Sequence, residues 1–322
     1  MQSLSYMLAR VANLYYKQHM NQSEIADMLS VSRPKVSRML KKAWELGILE
    51  IRIKFPDTQK IFDLEKQLMD VFGLRMAIVV PSIGDQNNVL SAAGAAAADM
   101  LLSIIGKNSI IGCSWGLSLM YMLRAMHTHK IDNNVEVVQL IGSVPQQMTF
   151  PDGSEFARHL STVLQCRCNY LLAPVLAKSR GIRDLLISDP NIRDILEKGR
   201  RSDLAIVGIG ALGDNSLLRN KIISPEEIEV LAQKGAVAEV CACFIDREGK
   251  LVESELNDRA VTIGLESLKK IETVMAVALG QTKHAAVAAV LRGGYLDILV
   301  TDEATAASVL QSSAGSIPIP CG

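Results

Sequence analysis

Residues 21–53 read NQSEIADMLSVSRPKVSRMLKKAWELGILEIRI, and the spacing in this stretch sets the reading of the amino-terminal part. Asn21 stands three residues before Glu24, close to the capping-box pattern that satisfies orphan N–H groups at a helix start. Ile25, Ala26 and Leu29 then give a buried stripe, and the small Ala26 lets a second helix come close to a third. Val31 turns the chain after Ser30, a position where such motifs often carry glycine. Ser32 is a good N-cap for the next helix, and Pro34 fits its first turn. Val36, Met39, Leu40 and Ala43 form that helix's inner face. Upstream, residues 5–19 (SYMLARVANLYYKQH) carry Leu8, Val11, Ala12 and Tyr15 at helical spacing. Downstream, Gly47 ends the third helix, and GILEIRIKFP (47–56) alternates apolar and polar residues as a β-wing would. The pattern predicts a winged helix-turn-helix over residues 1–55.

The charge distribution agrees. The chain has no formal net charge. Residues 1–55 nevertheless carry nine basic and four acidic side chains, a net of +5, which leaves 25 basic and 30 acidic, or −5, in the remainder. Such a split suits a head that meets a polyanion and a body that does not. The third helix is narrow enough for the major groove of double-stranded DNA, where each base pair shows its own hydrogen-bonding pattern. Arg33 and Arg38 point outward and can fork onto guanine or phosphate. Ser32 and Ser37 can bond phosphate or base edges, and Gln22 joins this set by its place in the spacing. Lys41, Lys42 and the wing's Arg52 suit phosphate contacts, which supply affinity rather than sequence preference.

The 322 residues suggest two domains, the second spanning 56–322. Apolar residues at 49% and charged residues at 21% fit a globular protein. No apolar run is long enough for a bilayer, and the start has no secretory pattern, so the expected compartment is the cytoplasm. Six cysteines stand in apolar surroundings without a Cys-x-x-Cys knuckle. They read as buried reduced thiols, and neither a metal nor a cofactor is expected.

A helix over 58–74 follows the head and could support self-association. Beyond it, short apolar runs at 75–81, 109–112, 135–142, 169–174, 204–210, 238–246, 273–280 and 296–302 read as strands, with helices between them. That alternation predicts an α/β domain built on a parallel sheet, with ligands beyond the carboxyl ends of its strands. Four strand ends carry chemistry. In IIGCSWGLSLMYML (110–123), Gly112 and Gly116 allow close backbone approach, Ser114 offers a hydroxyl, and a new helix presents free N–H groups suited to phosphate. LIGSV (140–144) holds Gly142 and Ser143. In CFIDREGK (243–250), Asp246 could accept bonds from sugar hydroxyls, or close a turn. In the run beginning ALGQTKHAAV (278–287), Lys283 sits in the first turn of a helix, where the dipole disfavours a cation by some tenths of a kcal/mol. A bound anion would remove that cost. Together the four point to a sugar-phosphate site.

The sequence resembles the SorC family (SorC/DeoR-type) of bacterial transcriptional regulators. The resemblance rests on residues 14–53, then IIGCSWG, DLAIVGIGAL (203–212), CFIDREG and KHAAVAAVLRGGYLDILVTDEATA (283–306), in family order over nearly the whole chain. It implies a winged head and an effector domain like the sugar-phosphate isomerase/deaminase and CoA-transferase fold. It also implies a phosphorylated-sugar effector and a homo-oligomer, a dimer or tetramer. By motif position, the family's phosphate loop falls on Ser114, Trp115 and Gly116, its second glycine loop on Gly142 and Ser143, its hydroxyl-binding aspartate on Asp246 and its phosphate-binding lysine on Lys283. Trp115 is larger than the residues often found in that loop.

Two readings follow. One is a non-enzymatic, DNA-binding regulator of a carbohydrate operon controlled by a phosphorylated sugar. The alternative is a sugar-phosphate isomerase or deaminase with an appended head, which would need a paired acid and base near the sugar carbons. The sequence offers Asp246 as a base but no evident paired acid.

Overall fold

A computed structural model of the chain describes residues 2–18, 20–49, 58–126, 134–144 and 153–314. The chain divides into two compact units, Met1–Thr58 and Gln59–Gly322.

The first unit is built from α1 (Gln2–Tyr16), α2 (Gln22–Met28) and α3 (Arg33–Glu45). Leu8, Val11 and Ala12 of α1, Ile25 and Ala26 of α2, and Val36, Leu40 and Ala43 of α3 make one small core, with Met39 and Tyr15 packed at its edge. Asn21 and Glu24 form a full capping box. The Asn21 side chain accepts from the Ser23 and Glu24 amides at 3.0 Å, and the Asn21 amide donates to Glu24 at 2.8 Å. Ser30 adopts φ +51°, so a serine takes the left-handed position that glycine often fills. Ser32 is the N-cap of α3 by backbone position, but its hydroxyl makes no capping bond. Gly47 takes φ +66° just past the helix. Of the expected wing, residues 50–56 lie outside the described residues, Arg52 among them.

In the second unit, α4 (Thr58–Phe72) buries Ile61, Leu64 and Leu68 and leaves Phe62 and Val71 exposed. A seven-stranded sheet follows, parallel throughout, in the order β1 (Met76–Val80), β10 (Ile298–Asp302), β9 (Thr273–Val277), β5 (Leu204–Gly208), β2 (Ile110–Cys113), β3 (Glu136–Gln139) and β4 (Arg167–Asn169). Its central strands are almost continuously buried, as a two-sided parallel sheet requires. Three further strands, β6 (Gly210–Ala211), β7 (Ala236–Val240) and β8 (Cys243–Asp246), form a small antiparallel sheet. The crossovers include α5 (Gln86–Ile104), α6 (Leu117–Ala125) and α7 (Gly153–Leu164). A Cβ at Gly94 of α5 would fall 2.5 Å from the Tyr121 backbone carbon, so this glycine lets α5 lie directly on α6. No helix among the described residues is long and apolar enough to cross a membrane.

Two strand expectations need correction. The run 238–246 is not one strand. It folds back at Cys241 and Ala242, with φ of +51° and +60°, into the β7–β8 hairpin. Two successive positive φ angles are what a two-residue hairpin turn demands, and neither residue is the usual Asn or Gly. The run 169–174 is also not a strand over its length, because β4 ends at Asn169 and Pro174 only bridges to Ser143.

Candidate functional site

After β2 the chain builds toward one edge of the sheet through β3 and β4. It then returns to the other side of β2 with β5 and continues to β9 and β10. The crevice between the carboxyl ends of β2 and β5 is therefore the topological switch point, where open parallel sheets bind ligands. A cavity lies there. The loop after β2 supplies Ser114, Trp115 and Gly116, the junction from the end of β5 to the start of β6 supplies Gly208 to Gly210, and Lys283 closes in from the segment after β9.

Ser114 ties the two loops together. It is 2% exposed, its amide donates to the Ile206 carbonyl at 2.9 Å, and its Oγ accepts from the Gly208 amide at 3.1 Å. Gly116 is the N-cap of α6 and has no side chain to cap it, so the first turn of α6 brings free N–H groups and the positive end of its dipole to the cavity. Lys283 ends a short 3₁₀ turn, Gln281–Lys283, that runs directly into the His284–Arg292 helix. Its ammonium makes no hydrogen bond or ion pair with any described residue. Burial lowers the lysine's pKa, and Asp214 opposes that shift. An anion in the cavity would find this cation and an open helix end together.

Trp115 is 7% exposed and its indole N–H has no partner among the described residues. Its ring lies against the start of α7, where a Cβ on Gly153 would fall 2.8 Å from Cδ1. The tryptophan thus fills space between the cavity and α7.

Of the residues singled out in the sequence, Ser114, Trp115, Gly116 and Lys283 line this one cavity, whereas Gly112, Gly142, Ser143 and Asp246 do not. Gly112 lies within β2, and its Cβ would meet the Leu140 side chain at 2.6 Å. A Cβ at Gly142 would meet the Pro174 and Val175 backbone at 2.5–2.6 Å. The Ser143 hydroxyl accepts from Gln139 Nε2 at 2.8 Å. These three positions serve packing around β2, β3 and β4. The Asp246 carboxylate closes its own turn: Oδ1 accepts from the Glu248 amide at 2.9 Å and the Lys250 amide at 2.8 Å.

The structure also assembles residues that the sequence reading missed. Asp214 lines the cavity and accepts from Arg219 at 2.7 Å through Nε and from Thr282 at 3.2 Å. Glu239 of β7 also lines it, accepting from the Ala242 amide at 2.6 Å at the hairpin turn. Burial pushes its pKa up to about 7, against the pull of that amide and of Lys283. The signal for Asp214 and Arg219 was present in GIGALGDNSLLR (208–219), a glycine-rich strand end followed by a carboxylate and a guanidinium five residues apart.

In the first unit, Ser32, Arg33, Ser37, Arg38, Lys41 and Lys42 are all exposed and Gln22 is half-buried at the start of α2. Arg38 Nε donates to the Pro34 carbonyl at 3.3 Å. Lys41 lies 3.9 Å from Glu45, one turn on.

Comparison with known proteins adds the following. The family model Sugar-bind, describing a sugar-binding domain, matches residues 57–311. The deoxyribonucleoside regulator of Bacillus subtilis (strain 168) is 30% identical over 303 residues, 93% of this chain and 95% of that one. The transcriptional regulator LsrR of Escherichia coli (strain K12) is 32% identical over 309 residues, 95% of this chain and 94% of its own. Among solved structures, the full-length sorbitol operon regulator SorC from Klebsiella pneumoniae superposes with a TM-score of 0.71 at 26% identity, covering 95% of this chain and 99% of that one. A DeoR family transcriptional regulator from Listeria monocytogenes gives a TM-score of 0.72 at 28% identity, over 77% of this chain and 99% of that one.

Proposed function

Because the chain belongs to the Sugar-bind family of SorC/DeoR-type transcriptional regulators, we propose that it is a DNA-binding regulator whose second unit takes a phosphorylated sugar at the β2/β5 crevice. The observation that carries the effector reading is the junction of an uncapped α6 N-terminus with the Lys283 ammonium, which has no hydrogen-bond or ion-pair partner among the described residues, in one cavity. The phosphate belongs at that junction, with the Ser114 hydroxyl beside it. The sugar hydroxyls extend toward Asp214 and Thr282, which takes over the role first given to Asp246.

The first unit is read as a helix-turn-helix, with α3 in the major groove. Support comes from the capped α2, the turn at Ser30 and the exposed row of Arg33, Ser37, Arg38 and Lys41 on α3. A two-fold operator calls for two α3 helices about 34–36 Å apart, or a multiple of that distance. The working species is therefore a dimer or tetramer, which light scattering with and without DNA tests. The named relatives are regulators, which favours this reading over a sugar-phosphate isomerase. The second unit is the effector domain of an isomerase-like architecture, used for binding alone.

The test is operator binding by wild type and Lys283→Ala across a titration with a panel of sugar phosphates. One member should change DNA affinity in wild type by about 1–3 kcal/mol of coupling. The variant should need far more of it. An equal response at equal concentration would move the phosphate elsewhere.

A further inference from the structure

Four charged side chains line the cavity: Lys283, Arg219, Asp214 and Glu239. With all four ionised, their charges cancel. A phosphate-like dianion entering such a site would leave two negative charges without a partner, beside half-buried side chains that are screened less than in bulk water. Asp214 is already engaged, accepting from the Arg219 guanidinium and from Thr282. Glu239 is differently placed. Its carboxylate receives one neutral N–H, from Ala242, and among the described residues no cation makes a hydrogen bond or ion pair with it, Lys283 acting on it only through its field. Its other oxygen faces Gly210, where a Cβ would fall 2.7 Å away.

We infer that a dianion enters this cavity together with one proton from solvent, and that the proton resides on the Glu239 carboxyl group. This rests on the anion-site reading above. No covalent bond to the ligand is involved; the carboxylate becomes a carboxylic acid, and the cavity passes from neutral to +1 before the dianion is counted. The neutral acid keeps one oxygen as acceptor for the Ala242 amide and gains an O–H to donate.

The enclosure that raises the Glu239 pKa to about 7 places this protonation near neutral pH. Other titratable groups around it act differently. Cys241 lies in the turn and Cys243 follows it, and burial drives both thiols up, Cys243 to about 12, so they stay neutral. Burial lowers the Lys283 pKa, so loss of its charge would weaken anion binding at higher pH as well. His284 begins the helix that packs on β7 but does not line the cavity.

Sulfate is the probe, because it is a dianion at every pH from 6 to 9 whereas phosphate monoesters titrate near pH 6. In wild type, sulfate affinity should fall above pH 7 by up to about tenfold per pH unit, the limit for one linked proton. Calorimetry at pH 8 in two buffers of different ionisation heat should show uptake approaching one proton per sulfate. Glu239→Gln, which keeps the acceptor for Ala242, should bind sulfate at pH 8 about as well as wild type does at pH 6, with a flattened pH profile. A wild-type affinity independent of pH, or heats independent of buffer, would overturn the inference even if the variant failed to fold. An undiminished slope in a folded Glu239→Gln would overturn it too, and assign the proton to another group. If wild type takes no sulfate at any pH, the anion-site reading falls and this inference falls with it.

Discussion

Two glycine-containing segments follow neighbouring parallel strands at the same edge of one sheet, Ser114–Gly116 after β2 and Gly142–Ser143 after β3. In sequence they look alike: a small residue and a hydroxyl at a strand end. In space they differ. The first opens on the cavity and starts an uncapped helix. The second is held shut: Gly142 donates to Val261, and the Ser143 backbone exchanges bonds at 2.9 Å with Ala173 and Val175. A glycine at a strand end is required wherever something approaches closely, and that something can be a ligand or another stretch of backbone. Only the topology decides which. The β2/β5 crevice is the switch point and the β2/β3 pair is not.

The largest expected effect tests this contrast directly. Gly142→Ala puts a methyl group within 2.5–2.6 Å of backbone atoms, which cannot rotate away as a side chain can. It should cost about 3 kcal/mol, at the upper end of overpacking penalties, seen as a lowered denaturant midpoint. Ser114→Ala should cost only about 1 kcal/mol for the lost acceptor of the Gly208 amide, yet weaken effector binding. If Gly142→Ala is as stable as wild type, the tight bridge to Pro174 is misplaced.

The same contrast holds between the two units. Arg33→Ala or Arg38→Ala should weaken operator binding by about 1–3 kcal/mol where the residue reads a base, and leave effector affinity unchanged. Lys283→Ala should do the reverse, removing most effector affinity while the free protein still binds operator. Lys41→Ala should weaken all DNA sequences alike and flatten the salt dependence. A single variant that lost both activities while folded would argue against separable sites.

Glu239 supplies a pH test of stability. Its folded pKa, about 7, lies above the ordinary carboxylate value. Folding therefore favours the protonated form, and the stability it contributes at low pH is lost as pH rises through about 7. The slope is at most about 1.4 kcal/mol per pH unit for one group. Wild-type melting temperature should fall from pH 6 to pH 8 by more than that of Glu239→Gln. Parallel curves would remove the enclosed carboxylate from the account.

The head was legible because its signals are local. A capping box, a helical stripe and a row of outward cations all lie within about 25 residues, and α1, α2 and α3 appear where periodicity places them. The parallel sheet was legible from alternating strands and helices. The cavity was legible only in part. Ser114 and Lys283 announce themselves by helix starts, which are again local. Asp214, Arg219 and Glu239 come from segments that matter only once β5, β6 and β7 are folded beside them. The hairpin at Cys241–Ala242 hid in a continuous apolar run, because its positive φ angles fall on residues that carry no turn signature.

Asp246 provides the smallest effect and a direct check on what a motif position is worth. Its place at a strand end before a turn suggested a hydroxyl ligand, but its Oδ1 is engaged by the Glu248 and Lys250 amides, and its backbone amide donates to Lys250 at 2.9 Å. A carboxylate so engaged organises a turn, as aspartates at such positions do through their own downstream amides. Asp246→Ala should therefore cost about 1 kcal/mol of stability through two lost side-chain bonds on a half-exposed loop. Asp246→Asn, which keeps an acceptor oxygen, should recover most of it. Neither should alter the ranking of sugar phosphates, whereas Asp214→Asn, within the cavity, should. Calorimetric affinities for two sugar phosphates that differ at one hydroxyl, measured on the three variants, decide the matter. A changed ranking in Asp246→Asn, with its melting temperature intact, would return the sugar to Asp246 and require the β8 turn to open on binding.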